Sequence, residues 1–181
     1  MLDKFIIIYS IIQTFLMPVI FRSTDIPHFV SMVVYHDKER DYISVELKNS
    51  ISKKLKEVIE SGILVEISYE IEQIRKLKKK KDVIESKIVT KGLSYDMVNK
   101  KYQVISNNEK KEFVNFEECQ NFWSILTKVP LSLEKIENGE QYFYQVTAKL
   151  GKVKSISDLE VNLMNYWANQ IPIIESKVIR R

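Results

Sequence analysis

The sequence predicts a mainly β fold with minor α: an antiparallel β-sandwich-like domain with two short amphipathic helices, preceded by an N-terminal hydrophobic helix. Three observations predict it. Segments with strict two-residue alternation, rich in Val, Ile and Tyr, recur from Phe29 onward and outnumber the helical patterns. Polar turns join several of them at hairpin distance, which favours antiparallel pairing over crossover connections. Only two stretches combine helical spacing of apolar residues with recognisable start and stop signals. A chain of 181 residues suits one domain with a substantial core, so we divide it into residues 1–24 and a single β-rich domain over 25–181.

The opening stretch, "MLDKFIIIYSIIQTFLMPVIFRSTD", carries Asp3 and Lys4 ahead of a nearly unbroken apolar run from Phe5 to Phe21. This is the shape of an export signal. At ~1.5 Å per residue the run makes a helix of roughly 25 Å, a little short of the roughly 30 Å hydrocarbon core, and Pro18 disturbs its last turn. Nothing like a small-x-small cleavage site follows, so an uncleaved membrane anchor competes with a cleaved signal peptide and with a buried core segment. Either of the first two sends the domain out of the cytoplasm.

In "FVSMVVYHDKERDYISVELKNS" two alternating runs flank the polar turn Asp37-Lys38-Glu39-Arg40, a hairpin signal. "NSISKKLKEVIESG" then sets Ile51, Leu55, Val58 and Ile59 at helical spacing, with Asn49 or Ser50 as N-cap and Gly62 as the left-handed stop. Alternation resumes with Val65, Ile67, Tyr69 and Ile71 on one face and Glu66, Ser68, Glu70 and Glu72 on the other. "DVIESKIVTKGLSYDM" and "KKYQVISN" read as further strands with a break near Asp96–Asn99. "NFEECQNFWSILTKVP" is the second helix: Asn115 caps it, Glu118 closes a capping box, and Cys119, Phe122, Trp123 and Leu126 share one face before Pro130. Asn138-Gly139 signals a tight turn before the aromatic strand containing Tyr142, Phe143 and Tyr144, and hence another hairpin. In the tail a short helix from Ser157 is expected, stopped by Pro172.

The run "IRKLKKKK" places Arg75, Lys76, Lys78, Lys79, Lys80 and Lys81 around Leu77, between two predicted strands. A solvated hairpin crown is the first reading, because lysine at an edge or crown discourages edge-to-edge association. Contact with an anionic surface such as lipid headgroups is the second. A nucleic-acid site is disfavoured: net charge is only +4, the cations are mostly lysine, and neither arginine forks nor stacking aromatics accompany the run.

Reactive constellations are missing. His28 and His36 flank one predicted strand roughly 26 Å apart at strand rise, too far to share a metal, and His36 leads the solvent-facing "HDKER" turn. The single Cys119 sits on an apolar helix face, reads as a small core residue and cannot form an internal disulfide. Phosphate-cradling glycine loops, nucleophile elbows, HExxH and CxxC do not occur. The sequence therefore points away from an enzyme, and from any cofactor. Tyr142 and Tyr144, opposite Phe143, are candidates for a ligand or partner face.

The stretches "SISKKLKEVIESGILVEISYEIE", "GLSYDMVNKKYQVIS" and "IENGEQYFYQVTAKL" carry a resemblance. With Glu60-Ser61-Gly62, Leu93 and Tyr95, Tyr102 and Val104, Gly139 and Tyr142, and the later Trp167, the chain resembles an uncharacterised bacterial family, number 4390 of the domains of unknown function, over roughly 42–168. Asn138 stands where that family often has proline, and lysines replace arginine and tryptophan in its basic segment. The resemblance implies an exported, membrane-proximal protein associated with envelope or signalling machinery, including membrane histidine kinases, and implies no catalytic residues. The expected function is thus a periplasmic or extracytoplasmic domain, anchored to the inner membrane or secreted, that recognises another envelope protein. The alternative is a module for a small hydrophobic ligand or lipid.

Overall fold

A computed structural model of the protein describes residues 26–77, 81–107, 109–154 and 160–181. The N-terminal hydrophobic helix expected within residues 1–24 lies outside them. Among the described residues no helix is long and apolar enough to cross a membrane.

Two antiparallel sheets face each other across one core, as the alternation requires. Strands β1 (His28–His36) and β2 (Arg40–Lys48) form the first hairpin, and β7 (Ile125–Ser132) joins β2 to complete a three-stranded sheet of order β1-β2-β7. The larger, seven-stranded sheet contains β3 (Val65–Lys76), β4 (Lys81–Asp96), β5 (Lys101–Ser106), β6 (Glu109–Phe113) and β8 (Gln141–Leu150). Its order is β11-β8-β3-β4-β5-β6, with β11 (Ile173–Glu175) and β12 (Ile179–Arg180) both on β8. A two-stranded ribbon, β9 (Lys152–Lys154) with β10 (Glu160–Asn162), leads into a 3-10 helix at Leu163–Trp167.

Period two decides which side chains enter the core. Ile43, Val45 and Leu47 on β2 meet Ile67, Tyr69 and Ile71 on β3, and Tyr142, Tyr144 and Val146 on β8 complete the layer. Each buried large aliphatic side chain contributes about 1.5–3 kcal/mol relative to exposure, so this one parity of three strands carries much of the driving force.

Helix α1 (Lys53–Glu60) inserts Leu55 and Ile59, and Gly62 stops it at φ 86°, as the sequence predicts. Its N-cap is Ser52, whose hydroxyl accepts from the Leu55 N–H, rather than Asn49 or Ser50. Tertiary structure takes those two for other work. Asn49 adopts φ 57° in the bend, while Ser50 is buried against the Ser124 hydroxyl (2.7 Å) and accepts the Trp167 indole N–H through its carbonyl (2.8 Å).

Helix α2 (Phe116–Ser124) starts at Asn115, whose side chain accepts from the Glu117 N–H. It ends at Ser124, six residues before Pro130, because Ile125–Ser132 is recruited as β7 by pairing with β2. Leu126 is therefore a core residue of a strand, not of the helix face. β-branched Ile125, Thr127 and Val129 suit the pleat, and pairing with β2 outweighs the helical spacing.

The turn at Asn138-Gly139 exists, with Gly139 at φ 89°, but it closes no hairpin. β7 and β8 lie in different sheets, so the chain crosses between layers there. Where the sequence predicts a short helix from Ser157, the described residues form the 3-10 helix Leu163–Trp167; the tail then covers the outer side of β8 with two short strands, and β6 lies at the opposite edge of the sheet.

Candidate functional site

Tyr142 and Tyr144 do not form an exposed face; they are 2% and 0% exposed. Alternation on β8 sends both toward the small sheet, where they converge on Asp41 of β2. Asp41 is itself fully buried, and its Oδ2 accepts from the hydroxyls of Tyr142 (2.9 Å) and Tyr144 (2.7 Å). Its Oδ1 lies 2.9 Å from Nδ1 of His36, directly opposite it in the β1–β2 register. Gln73 donates to the Tyr144 hydroxyl (2.9 Å) and to the Ser132 carbonyl (3.3 Å). Desolvation, reinforced by the Asp41 carboxylate, raises both tyrosines well above the ordinary phenol range, so they stay protonated donors.

This arrangement pins the two sheets together. A buried carboxylate is tolerated when its lone pairs are filled, and three donors from two other strands fill these. His36 keeps about half of its side chain in solvent while its other end holds Asp41. A His–Asp pair can orient a general base, yet among the described residues no Ser, Thr or Cys side chain hydrogen-bonds to the His36 ring, and no group of three His, Cys, Asp or Glu residues could hold a metal. His28 and His36 sit at opposite ends of β1, as their spacing implies.

The basic run occupies the β3–β4 reversal, with Lys76 opposite Lys81 and Arg75 opposite Asp82. Lys78, Lys79 and Lys80 lie outside the described residues. Arg75 is engaged within the fold: it donates to Asp82 Oδ2 (3.2 Å) and the Lys135 carbonyl (2.9 Å), and its Nε forms an ion pair with Glu140 (3.1 Å) that is not aligned as a hydrogen bond. Lys81 pairs with Glu175 (2.8 Å) and lies over the Phe143 ring. Lys76 is exposed. Cys119 is fully buried, and desolvation pushes its thiol up to about 12, which suits a core residue and not a nucleophile.

Sequence reasoning missed the feature that distinguishes the surface. Among the described residues β1 is the outer strand of the small sheet and pairs only with β2, and it contains no Asp, Glu, Lys or Arg along its nine residues. Phe29, Met32 and Val34 turn inward, while Val30, Val33 and Tyr35 are 48%, 43% and 57% exposed. A bulge between Phe29 and Ser31 interrupts its start, but from Ser31 to His36 the register with β2 is unbroken. The backbone of β11 comes near that of β1 without pairing with it. The signal was present in "HFVSMVVYH" as an absence of charge, but only strand order shows that this strand is an edge.

Residues 27–172 match the model of a family described as Domain of unknown function (DUF4390), a span that begins just ahead of β1. No curated protein and no solved structure matches the chain.

Proposed function

The match covers most of the chain, so the protein belongs to that family, and from this premise we propose that it is a non-enzymatic recognition domain that accepts a strand of another protein at the edge of β1. The observation that carries the reading is the six-residue stretch Ser31–His36, free of Asp, Glu, Lys and Arg, in unbroken register with β2 and, among the described residues, unpaired on its other side. An open edge offers a row of backbone donors and acceptors for strand addition, and the alternating side chains Val33 and Tyr35 supply the apolar contacts that set specificity. The apolar segment Phe5–Phe21 supports an address outside the cytoplasm, tethered to or released from the inner membrane. In that setting the partner is another envelope protein, and the family resemblance favours membrane signalling proteins such as histidine kinases.

The test is site-specific photocrosslinking in intact cells, with the reactive group at Tyr35 or, as a control, at Glu112. We expect a discrete adduct from Tyr35, recovered with the membrane fraction, and none from Glu112. Equal labelling from both positions, or a cytosolic protein without processing or membrane association, removes the proposal.

A further inference from the structure

A cleft of about 560 Å³ opens where the β1–β2 turn, β4, β7 and the C-terminal segment meet, and it is lined by Lys38, Arg40, Lys87 and Arg181 together with Glu39 and Glu134. We propose that this cleft binds a ligand carrying a negatively charged phosphoryl group. The proposal is independent of the β1 edge.

Four cationic side chains against two carboxylate side chains leave the side chains of the lining with positive excess. Several surface cations outside the cleft are paired within the fold: Lys48 with Glu46, Lys56 with Glu60, Lys101 with Glu112, Lys149 with Glu70. Among the described residues, none of the four cleft cations forms an ion pair within 4.0 Å. Bringing like charges together without compensation costs free energy that a bound anion recovers.

The side chains of Lys87 and Arg181, and the backbone that carries Arg40, are held in place. Arg40 sits opposite Ser132 in the β2–β7 register, and the Leu133 N–H donates to the Glu39 carbonyl (3.0 Å), closing the turn over the cleft. Lys87 donates one of its three ammonium protons to the Pro130 carbonyl (3.2 Å), leaving two for a ligand. Arg181 is fixed through its backbone to Glu140 and Gly139, and its Nη1 donates to the carbonyls of Leu133 and Ile136. Its remaining guanidinium N–H groups are not used in those bonds. Two guanidinium forks and two ammonium groups match the several oxygens of a phosphoryl group better than a lone carboxylate does, and the volume exceeds what a single small anion fills.

Calorimetric titration of the full chain in a non-ionic detergent tests the site. Inorganic pyrophosphate at low ionic strength is one probe; mixed micelles doped with phosphatidylglycerol, against micelles doped with phosphatidylcholine, are the other. We expect saturable binding that weakens at least tenfold when Arg40→Gln and Lys87→Gln are combined, and stays unchanged when Lys101→Gln and Lys110→Gln are combined. Lys38→Gln, on the exposed turn, weakens it by a smaller factor and serves as the readout should the double variant fail to fold. Binding of pyrophosphate identifies a soluble phosphorylated compound. Binding confined to phosphatidylglycerol, with the same sensitivity to the cleft substitutions, identifies a lipid headgroup. Absence of binding to both probes, or equal loss in the Lys101/Lys110 pair, overturns the proposal.

Discussion

The edge strands β1 and β6 face the same physical problem with opposite chemistry. Among the described residues each has an unpaired backbone edge. β6 is five residues long, "EKKEF", with Glu112 bridged to Lys101 and Lys110, so a second chain approaching it must displace water from several charges. Beneath it Lys111 lies over the rings of Phe113 and Phe122. β1 is nine residues long and uncharged between its histidines. The other edges are guarded too: β7 contains Pro130 and a register shift opposite Ile43/Val45, and the outer edge of β8 is covered by two short strands. Compared with β6, β7 and the outer side of β8, β1 lacks such protection over Ser31–His36 among the described residues, so its openness is not shared by those edges.

What stands behind each edge differs as well. Behind the end of β1 is the buried Asp41, tied to Tyr142, Tyr144 and His36. Behind β6 is α2, held by Lys91 of β4, which is only 6% exposed and donates to the carbonyls of Phe122 (2.6 Å) and Ile125 (2.5 Å) at the helix end. Desolvation lowers that lysine to about 8.

The largest expected effect breaks the β1 side at its root. Asp41→Ala leaves two buried tyrosine hydroxyls without their acceptor and should cost about 3 kcal/mol in urea unfolding. Glu112→Ala, at the corresponding charge cluster of β6, should leave the unfolding midpoint unchanged. Comparable losses from both would erase the contrast between a pinned edge and a screened one.

The next effect sharpens the β6 side through pH. Folded Lys91 releases its proton near 8, whereas the unfolded chain holds it to the ordinary value of 10.5. Across that window the unfolded state binds more protons, so stability rises with pH, by roughly 3 kcal/mol in all. Above the ordinary tyrosine range the sign reverses: buried Tyr69, Tyr142 and Tyr144 have raised values, the unfolded state loses their protons first, and stability falls. Unfolding followed from pH 7 to 11 should show this rise and fall, and Lys91→Met should flatten the rising limb alone.

Smaller still is the junction between α1 and β3. Gly62 adopts φ 86°, so Gly62→Ala should cost about 1 kcal/mol through backbone strain. Tyr95 and Met97, near Gly62 in the β4–β5 region, leave ordinary space for a methyl group, so no steric clash should add to that cost.

The smallest stability change carries the sharpest functional contrast. Val33→Lys, on the exposed face of β1, should alter stability by less than about 0.5 kcal/mol while abolishing the Tyr35 photocrosslink. The reciprocal change, Glu109→Thr with Lys110→Val and Glu112→Thr, should make β6 self-associate in a concentration-dependent way, read by sedimentation. If removing the charges of β6 leaves the protein monomeric, charge is not what guards that edge.

Much of the fold was legible because alternation and helix punctuation are local. The β1–β2 hairpin, the inward set Val65, Ile67, Tyr69 and Ile71, the β4–β5 turn, Gly62 and the Asn115 cap all read correctly from neighbours within a few residues. The reading failed where a partner strand chose between local options. Ile125–Ser132 fits a helical face and a pleat alike, and β2 selected the pleat. Asn138-Gly139 makes its turn, but the chain then enters the other sheet. For Tyr142 and Tyr144, pattern indicated two aromatics on one face without saying that Asp41, about a hundred residues away, waits inside that face.

The sequence by itself determined that this chain is a β-rich domain of two layers, which residues alternate inward, and that an apolar segment precedes it, since these follow from periodicity and composition. Only the tertiary structure decided that β1 is an open edge, that Asp41 joins the sheets, and that Lys38, Arg40, Lys87 and Arg181 share a cleft. The reason is physical: periodicity fixes which way a side chain points relative to its own strand, whereas strand order and the convergence of distant charges depend on pairing free energies between segments far apart in the chain.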